Sequence, residues 1–141
     1  MIILDTDHLT AIQRQAEPAY TSLLARLRQG SEREVCTTIV NVEEQLRGWL
    51  VVIHRAKRIE QEIAAYQRLH KLFSFFGNIP VLDFDEQAAG QLTSLRSLRL
   101  RLGTMELKIA AVTLSRNALL LSRNLNDFRR VPALQVEDWI G

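Results

Sequence analysis

The feature that most constrains this chain is a set of very short apolar or β-branched runs separated by segments long enough to be helices. The runs are Ile2-Ile3-Leu4, the β-branched stretch Val35 to Val40, Ile79 to Leu82 and Leu119-Leu120-Leu121, with Leu134-Gln135-Val136 as a candidate fifth. A strand that is apolar at every position has both faces buried, and such strands alternating with helices specify a parallel sheet covered on both sides. Between them, one helical stretch extends to about Gly30, broken near Pro18, and a second is opened by Asn41 and reaches about Ile53. A third, about Lys57 to Phe76, places Ile59, Ile63, Tyr66, Leu69 and Phe73 close to 3.6 residues apart per turn and is stopped by Gly77. Two more span Asp85 to about Leu100 and Thr104 to about Asn117. The expected class is α/β, a three-layer α/β/α sandwich on a parallel sheet of five strands if the last run is counted. At 141 residues, without internal repeat or linker, residues 1-141 read as a single domain.

An apolar fraction of 47% fits a packed core, and 24% charged residues fits an ordinary surface. The lone cysteine, Cys36, lies in an apolar run and reads as a small buried hydrophobe in a reducing compartment, which excludes a disulfide scaffold. No basic-then-apolar leader opens the sequence and no apolar run approaches a bilayer span, so no membrane association and a cytoplasmic location are expected. The balance of 18 Lys+Arg against 16 Asp+Glu is only mildly basic, but nearly all of the positive charge is arginine, with lysine at 57, 71 and 108 alone. The planar guanidinium pairs bidentately with phosphate, so this bias leans towards nucleic acid, with a plainly solvated surface as the alternative.

In open parallel sheets ligands bind at the carboxyl ends of the strands, where the connections switch direction. Acids gather there: Asp5 directly follows the first run, Glu43 and Glu44 follow the second, and Asp83 and Asp85 follow the third. Asn124 and Asp127 follow the fourth, and Glu106 lies at the start of the helix leading into it. Oxygen ligands of this kind suit Mg²⁺, and so many carboxylates without a cation would repel one another. Each has a competing structural role. Asp5 suits a helix cap. Asn41-Val42-Glu43-Glu44 has the spacing of a capping box, with Asn41 as N-cap and Glu44 reaching back, although Gly48 leaves the face beside Glu44 open. Glu106 complements the dipole of its helix, yet Ile109 and Ala110 put it at the border of a buried stripe. Asp83 and Asp85 are read as structural, Asp85 as an N-cap.

His8, His54 and His70 fall on different helices without metal-ligand spacing, and Trp49, Trp139 and the Phe73/Phe75/Phe76 group suit a core or a dimer interface better than base stacking.

Four segments together resemble the PIN-domain nucleases, and more closely the VapC-type toxins of bacterial toxin–antitoxin pairs. They are Ile3-Leu4-Asp5-Thr6-Asp7, Glu44-Gln45-Leu46-Arg47-Gly48, Gly103 to Ala111 and Leu121 to Phe128, with the tail Glu137-Asp138-Trp139 also similar. The resemblance implies a parallel five-stranded sandwich, a homodimer, metal-dependent endonucleolytic cleavage of RNA, and a VapB-type antitoxin seated in the active-site groove. It puts the family's acids on Asp5, on Glu44 (with Glu43 as fallback) and on Glu106, and its fourth polar position on Asn124, with Asp127 close behind. Asp5, Glu44 and Glu106 are then the ligands of Mg²⁺ or, alternatively, Mn²⁺.

Glu106 departs from the aspartate usual in that family, moving the carboxylate by roughly 1.5 Å, which leaves open a degenerate domain that binds RNA or antitoxin without cutting. Arg96, Arg99 and Arg101, or Arg123, Arg129 and Arg130, are candidates for tracking an RNA backbone. A different enzyme class enters through Asp5-Thr6-Asp7-His8-Leu9-Thr10, which is similar to the nucleophile motif of haloacid-dehalogenase-type phosphatases, although Leu9 departs from it.

Overall fold

A computed structural model describes residues 1–30 and 33–141. Five strands form one sheet: β1 (Ile2–Leu4), β2 (Val35–Thr38), β3 (Val81–Leu82), β4 (Leu119–Leu121) and β5 (Gln135–Glu137), in the order β3-β2-β1-β4-β5. Every pairing is parallel; β1 is central, with Ile3 opposite Cys36 on one side and Leu120 on the other. The helices are α1 (Thr6–Arg14), α2 (Ala19–Gln29), α3 (Ile39–Arg55), α4 (Ile59–Gly77), α5 (Glu86–Ser97), α6 (Thr104–Ser115) and the short α7 (Leu125–Phe128).

The period-2 geometry of the strands explains why the central ones, β1 and β4, are apolar at every position: alternate side chains enter the helix layers on opposite faces. Ile2 and Leu4 of β1 point to one face with Leu121, where they meet Leu9 and Leu23 of α1 and α2 and the end of α4. Ile3 and Leu120 point to the other, against Val40, Leu92, Leu95 and Ile109 of α3, α5 and α6. Ile3, Leu4, Leu120 and Leu121 are completely buried. Cys36 is buried with them; its thiol donates to the Ile2 carbonyl at 3.3 Å, and burial pushes its pKa up to about 11, so it is a packing residue.

The chain builds outwards from β1 through β2 to β3, then crosses back to place β4 on the opposite side of β1. That reversal makes the carboxyl ends of β1 and β4 a topological switch point.

The expected architecture stands, and several boundaries move. β2 stops at Thr38 rather than Val40, because Thr38 Oγ1 accepts the Asn41 N–H at 3.1 Å and caps a helix that already begins at Ile39. Glu43 and Glu44 consequently lie beyond the first turn of α3. β3 shrinks to two residues, Pro80 having no N–H to give to a ladder. α5 ends at Ser97, and Arg99 takes a left-handed φ of 52°.

The stripe read on α4 belongs to a helix, but it faces outwards. Ile59, Ile63, Tyr66 and Phe73 are each more than half exposed, while Ala65 and Leu72 are buried. Leu50, Val51 and Val52 on α3 are exposed as well. Among the described residues no helix is long and apolar enough to cross a membrane.

Truncating Leu120 to alanine in the central layer is expected to cost about 2–5 kcal/mol in urea unfolding. A loss under about 1 kcal/mol would contradict a close-packed layer at that strand.

Candidate functional site

Asp5 leaves the end of β1 and is only 8% exposed. It occupies the N-cap position of α1, but its side chain makes no capping hydrogen bond. Its carboxylate instead bridges two other strand ends. Asn41 Nδ2, on the first turn of α3, donates to Oδ1 at 2.8 Å, and Ser122 Oγ, just past β4, donates to Oδ2 at 2.7 Å. Asn41 is wholly buried and fully used, since its Oδ1 accepts from Thr38 Oγ1 at 2.7 Å and its Nδ2 also reaches Thr6 Oγ1 at 3.2 Å. The early start of α3 produces this arrangement: Thr38 takes the cap, which frees the Asn41 amide for Asp5. The capping-box reading of Asn41 and Glu44 is therefore corrected.

Without a capping role, Glu44 is half-buried on α3, and a Cβ at Gly48 would meet nothing within 4 Å. The neighbouring Glu43 is tied to Arg47 by an i,i+4 ion pair of 2.6 Å, so Glu44 is the carboxylate left to the site. Beside it runs a groove of about 420 Å³ whose lining includes Thr6, Thr10, Gln13, Glu44, Gly48 and Trp49. A larger hollow of about 1060 Å³ continues between α3 and α4, past Arg55, Arg68 and Lys71. Two reciprocal amide hydrogen bonds of 2.9 Å between Gln13 and Gln45 hold α1 to α3 along this groove.

Glu106 is half-buried at the start of α6. Its Oε2 accepts the Gly103 N–H at 3.1 Å, turning back over its own helix start, and its Oε1 accepts from Asn124 Nδ2 at 3.1 Å. The Asn124 N–H donates to Ser122 Oγ at 3.0 Å, so Ser122 links Asp5 to the Asn124–Glu106 pair. Asp127 is not drawn in. Its carboxylate lies 3.7 Å from Arg130 and, among the described residues, makes no hydrogen bond to Asp5, Glu106 or Asn124. Asp85 is the N-cap of α5, accepting from the Ala88 N–H at 2.9 Å.

Burial is the main force on Asp5, raising its pKa from 3.8 to about 6. The Ser122 hydrogen bond opposes this, the charge of Asp7 adds to it, the Thr6 backbone opposes it, and the charge of Glu44 adds again. No Lys or Arg forms an ion pair with Asp5, Glu44 or Glu106 among the described residues. An all-oxygen donor set with uncompensated negative charge fits a hard divalent cation. Position fits less completely. Among the described residues no three His, Cys, Asp or Glu side chains are gathered for one ion as they lie, because Glu106 is turned to Gly103 and Asn124.

Sequence reasoning missed Asn41 as a partner of Asp5, and also Ser122 and Asp7. Asp7 accepts the Arg123 N–H at 3.0 Å. These contacts join residues 36 and 117 positions apart, which no local spacing reveals. Of the arginines expected to track RNA, Arg130 donates to the Arg101 carbonyl at 3.0 Å and Arg123 is exposed. The cations that line the groove next to Glu44 are instead Arg14, Arg68 and Lys71.

No protein-family model matches the chain. The tRNA(fMet)-specific endonuclease VapC of Salmonella typhimurium is 32% identical over 84 residues, which cover 57% of this chain and 64% of that protein. Ribonuclease VapC2 of Rickettsia felis is 32% identical over 77 residues, 52% of this chain and 58% of the relative. The match thus spans less than two thirds of either relative. Over the full fold, the DNA-bound VapBC structure from Salmonella typhimurium superposes with a TM-score of 0.75 at 24% identity, covering 98% of this chain and 97% of that one. The DNA-bound VapBC2 structure from Rickettsia felis gives 0.73 at 23% identity, with 99% of each chain covered. FitAcB of Neisseria gonorrhoeae gives 0.68 at 20%, covering 98% and 97%. The parallel five-stranded α/β fold of this chain is that of these proteins.

The pKa of Asp5 has a consequence for stability. A carboxylate with a folded pKa near 6 and an unfolded pKa near 3.8 favours folding when protonated. Its ionised form costs on the order of 2–3 kcal/mol, fully felt above pH 6 and relieved as pH falls towards 4. Asp5→Asn is therefore expected to raise the metal-free midpoint of urea unfolding at pH 8, with the gain shrinking below pH 5. Equal or lower stability of the variant at pH 8 would contradict the assigned burial cost.

Proposed function

We propose that this chain, a PIN-domain relative of the VapC toxins, is a divalent-metal-dependent endoribonuclease whose activity is restrained by a VapB-type antitoxin. The observation that carries the reading is the desolvated Asp5 carboxylate at the switch point, flanked by the charges of Asp7 and Glu44 and, among the described residues, ion-paired to no Lys or Arg. Asp5, Glu44 and Glu106 are the proposed holders of Mg²⁺ or Mn²⁺. The chemistry supplied by an ion held there is Lewis-acid activation of water near neutral pH and neutralisation of phosphate charge.

The chain's own contribution is placement. Asn41 and Ser122 fix the Asp5 carboxylate from opposite sides, so its orientation costs nothing when substrate arrives. Asn124, tied to Ser122 and Glu106, positions an amide at the same edge for a phosphate oxygen. Arg14, Arg68 and Lys71 put positive charge along the groove beside Glu44, where they favour a polyanion. The uncovered apolar surface on α3 and α4 supports protein partners, a second copy of the chain and the antitoxin.

Cleavage of single-stranded RNA in the presence of Mg²⁺ or Mn²⁺ is expected, with loss in EDTA and a fall of about 100-fold or more in Asp5→Ala. Cleavage that persists unchanged in EDTA or in the variant would sink this reading. The latch of Glu106 onto Gly103 and Asn124 favours one second reading, a domain that binds RNA without cutting it. Glu106→Asp separates the two. A wild type that cuts at least as well as the aspartate variant supports the enzyme, whereas an inert wild type with an active variant supports the binding domain.

A further inference from the structure

We propose that His8 is a positioning residue that locks the C-terminal tail to the loop after β4 and thereby holds the Ser122 side of Asp5; its bearing on catalysis rests on the nuclease reading. His8 is completely buried, and both ring nitrogens are engaged. The Trp139 backbone N–H has no lone pair to offer, so at 3.1 Å it donates to Nε2, which must be bare. The proton then sits on Nδ1 and is donated to Asp7 Oδ1 at 2.6 Å.

The other Asp7 oxygen accepts the Arg123 N–H at 3.0 Å and lies 3.4 Å from Ser122 Oγ. Ser122 in turn donates to Asp5 at 2.7 Å and accepts the Asn124 N–H at 3.0 Å. One continuous set of contacts therefore runs from Trp139 through His8 and Asp7 to Ser122, and from there to Asp5 and Asn124.

The far end is organised by its own turn and by packing, with Asp138 Oδ1 also 3.8 Å from His8 Nε2. Asp138 Oδ1 accepts the N–H groups of Ile140 and Gly141 at 2.9 Å each, and the Arg26 guanidinium lies 4.1 Å from the centre of the Trp139 ring. Trp139 and Ile140 pack on the core cluster that contains Leu4. The two nitrogens of His8 thus have separate duties, Nδ1 towards the site and Nε2 towards the tail.

That division can be tested because an asparagine amide stands in for Nδ1 and a glutamine amide for Nε2. His8→Asn is expected to keep slow hydrogen exchange at the Arg123 and Asn124 amides and to retain RNA cleavage within about threefold. His8→Gln is expected to speed exchange at both amides by about tenfold and to lower kcat by about 10–100-fold with little change in KM. A side chain that only fills space predicts the reverse order, since glutamine is closer to histidine in volume. Equal behaviour of the two variants, or a better-preserved Gln variant, would overturn the proposal.

The wild-type protein gives a second reading if either variant fails to fold. Long-range ¹H–¹⁵N correlation at neutral pH is expected to show His8 with Nδ1 protonated and Nε2 bare, and the opposite tautomer or a doubly protonated ring refutes the assignment. A wild type that cuts no RNA removes the nuclease reading, while the exchange order and the tautomer still decide the role of His8.

Discussion

The whole site depends on one buried carboxylate being held by two neutral donors from opposite sides of the central strand. Asn41 reaches Asp5 from the start of α3, and Ser122 reaches it from the end of β4. Hydrogen bonds to a charged group are worth more than neutral ones, but neither donor brings a compensating charge. Burial therefore prevails, and the Asp5 pKa rises to about 6 instead of falling. A fold that needed Asp5 only for stability would gain from an uncharged side chain there. Retaining an acid at that expense is how functional sites commonly look.

The same tension extends to Glu106. Its extra methylene lets the carboxylate curl back onto the Gly103 N–H, a favourable interaction at a helix start, while the other oxygen holds Asn124. Two of the polar residues expected at one point thus satisfy each other. Asp5 and Glu44, in contrast, act on each other as like charges. The site is divided into an acidic half with unmet charge and a self-satisfied half, and Ser122 connects them.

Much of the fold was legible because its central strands, β1 and β4, are apolar on both faces, and only a sheet covered on both sides rewards that pattern. The placement of Asp5, Glu106 and Asn124 around the switch point was legible because strand ends and helix starts converge there in such folds. What stayed hidden depends on contacts between distant parts of the chain. Whether Asn41 caps a helix or serves Asp5 turns on Thr38 taking the cap first, and local spacing permits both. Asp127 has the right sequence position but faces Arg130, because α7 is a single turn whose rotation no periodicity reveals. The α4 stripe has helical spacing yet lies opposite the buried Ala65 and Leu72, since apolar period alone does not say what covers it.

The central proposal is that Asp5 is a buried carboxylate suited to bind a cation, and its own titration tests this most directly. Carbon-13 NMR of the Asp5 carboxyl is expected to show a midpoint near 6 in the metal-free protein. With saturating Mg²⁺ the midpoint should fall below the ordinary carboxylate value of about 3.9. An ordinary midpoint that Mg²⁺ leaves unmoved would contradict the account.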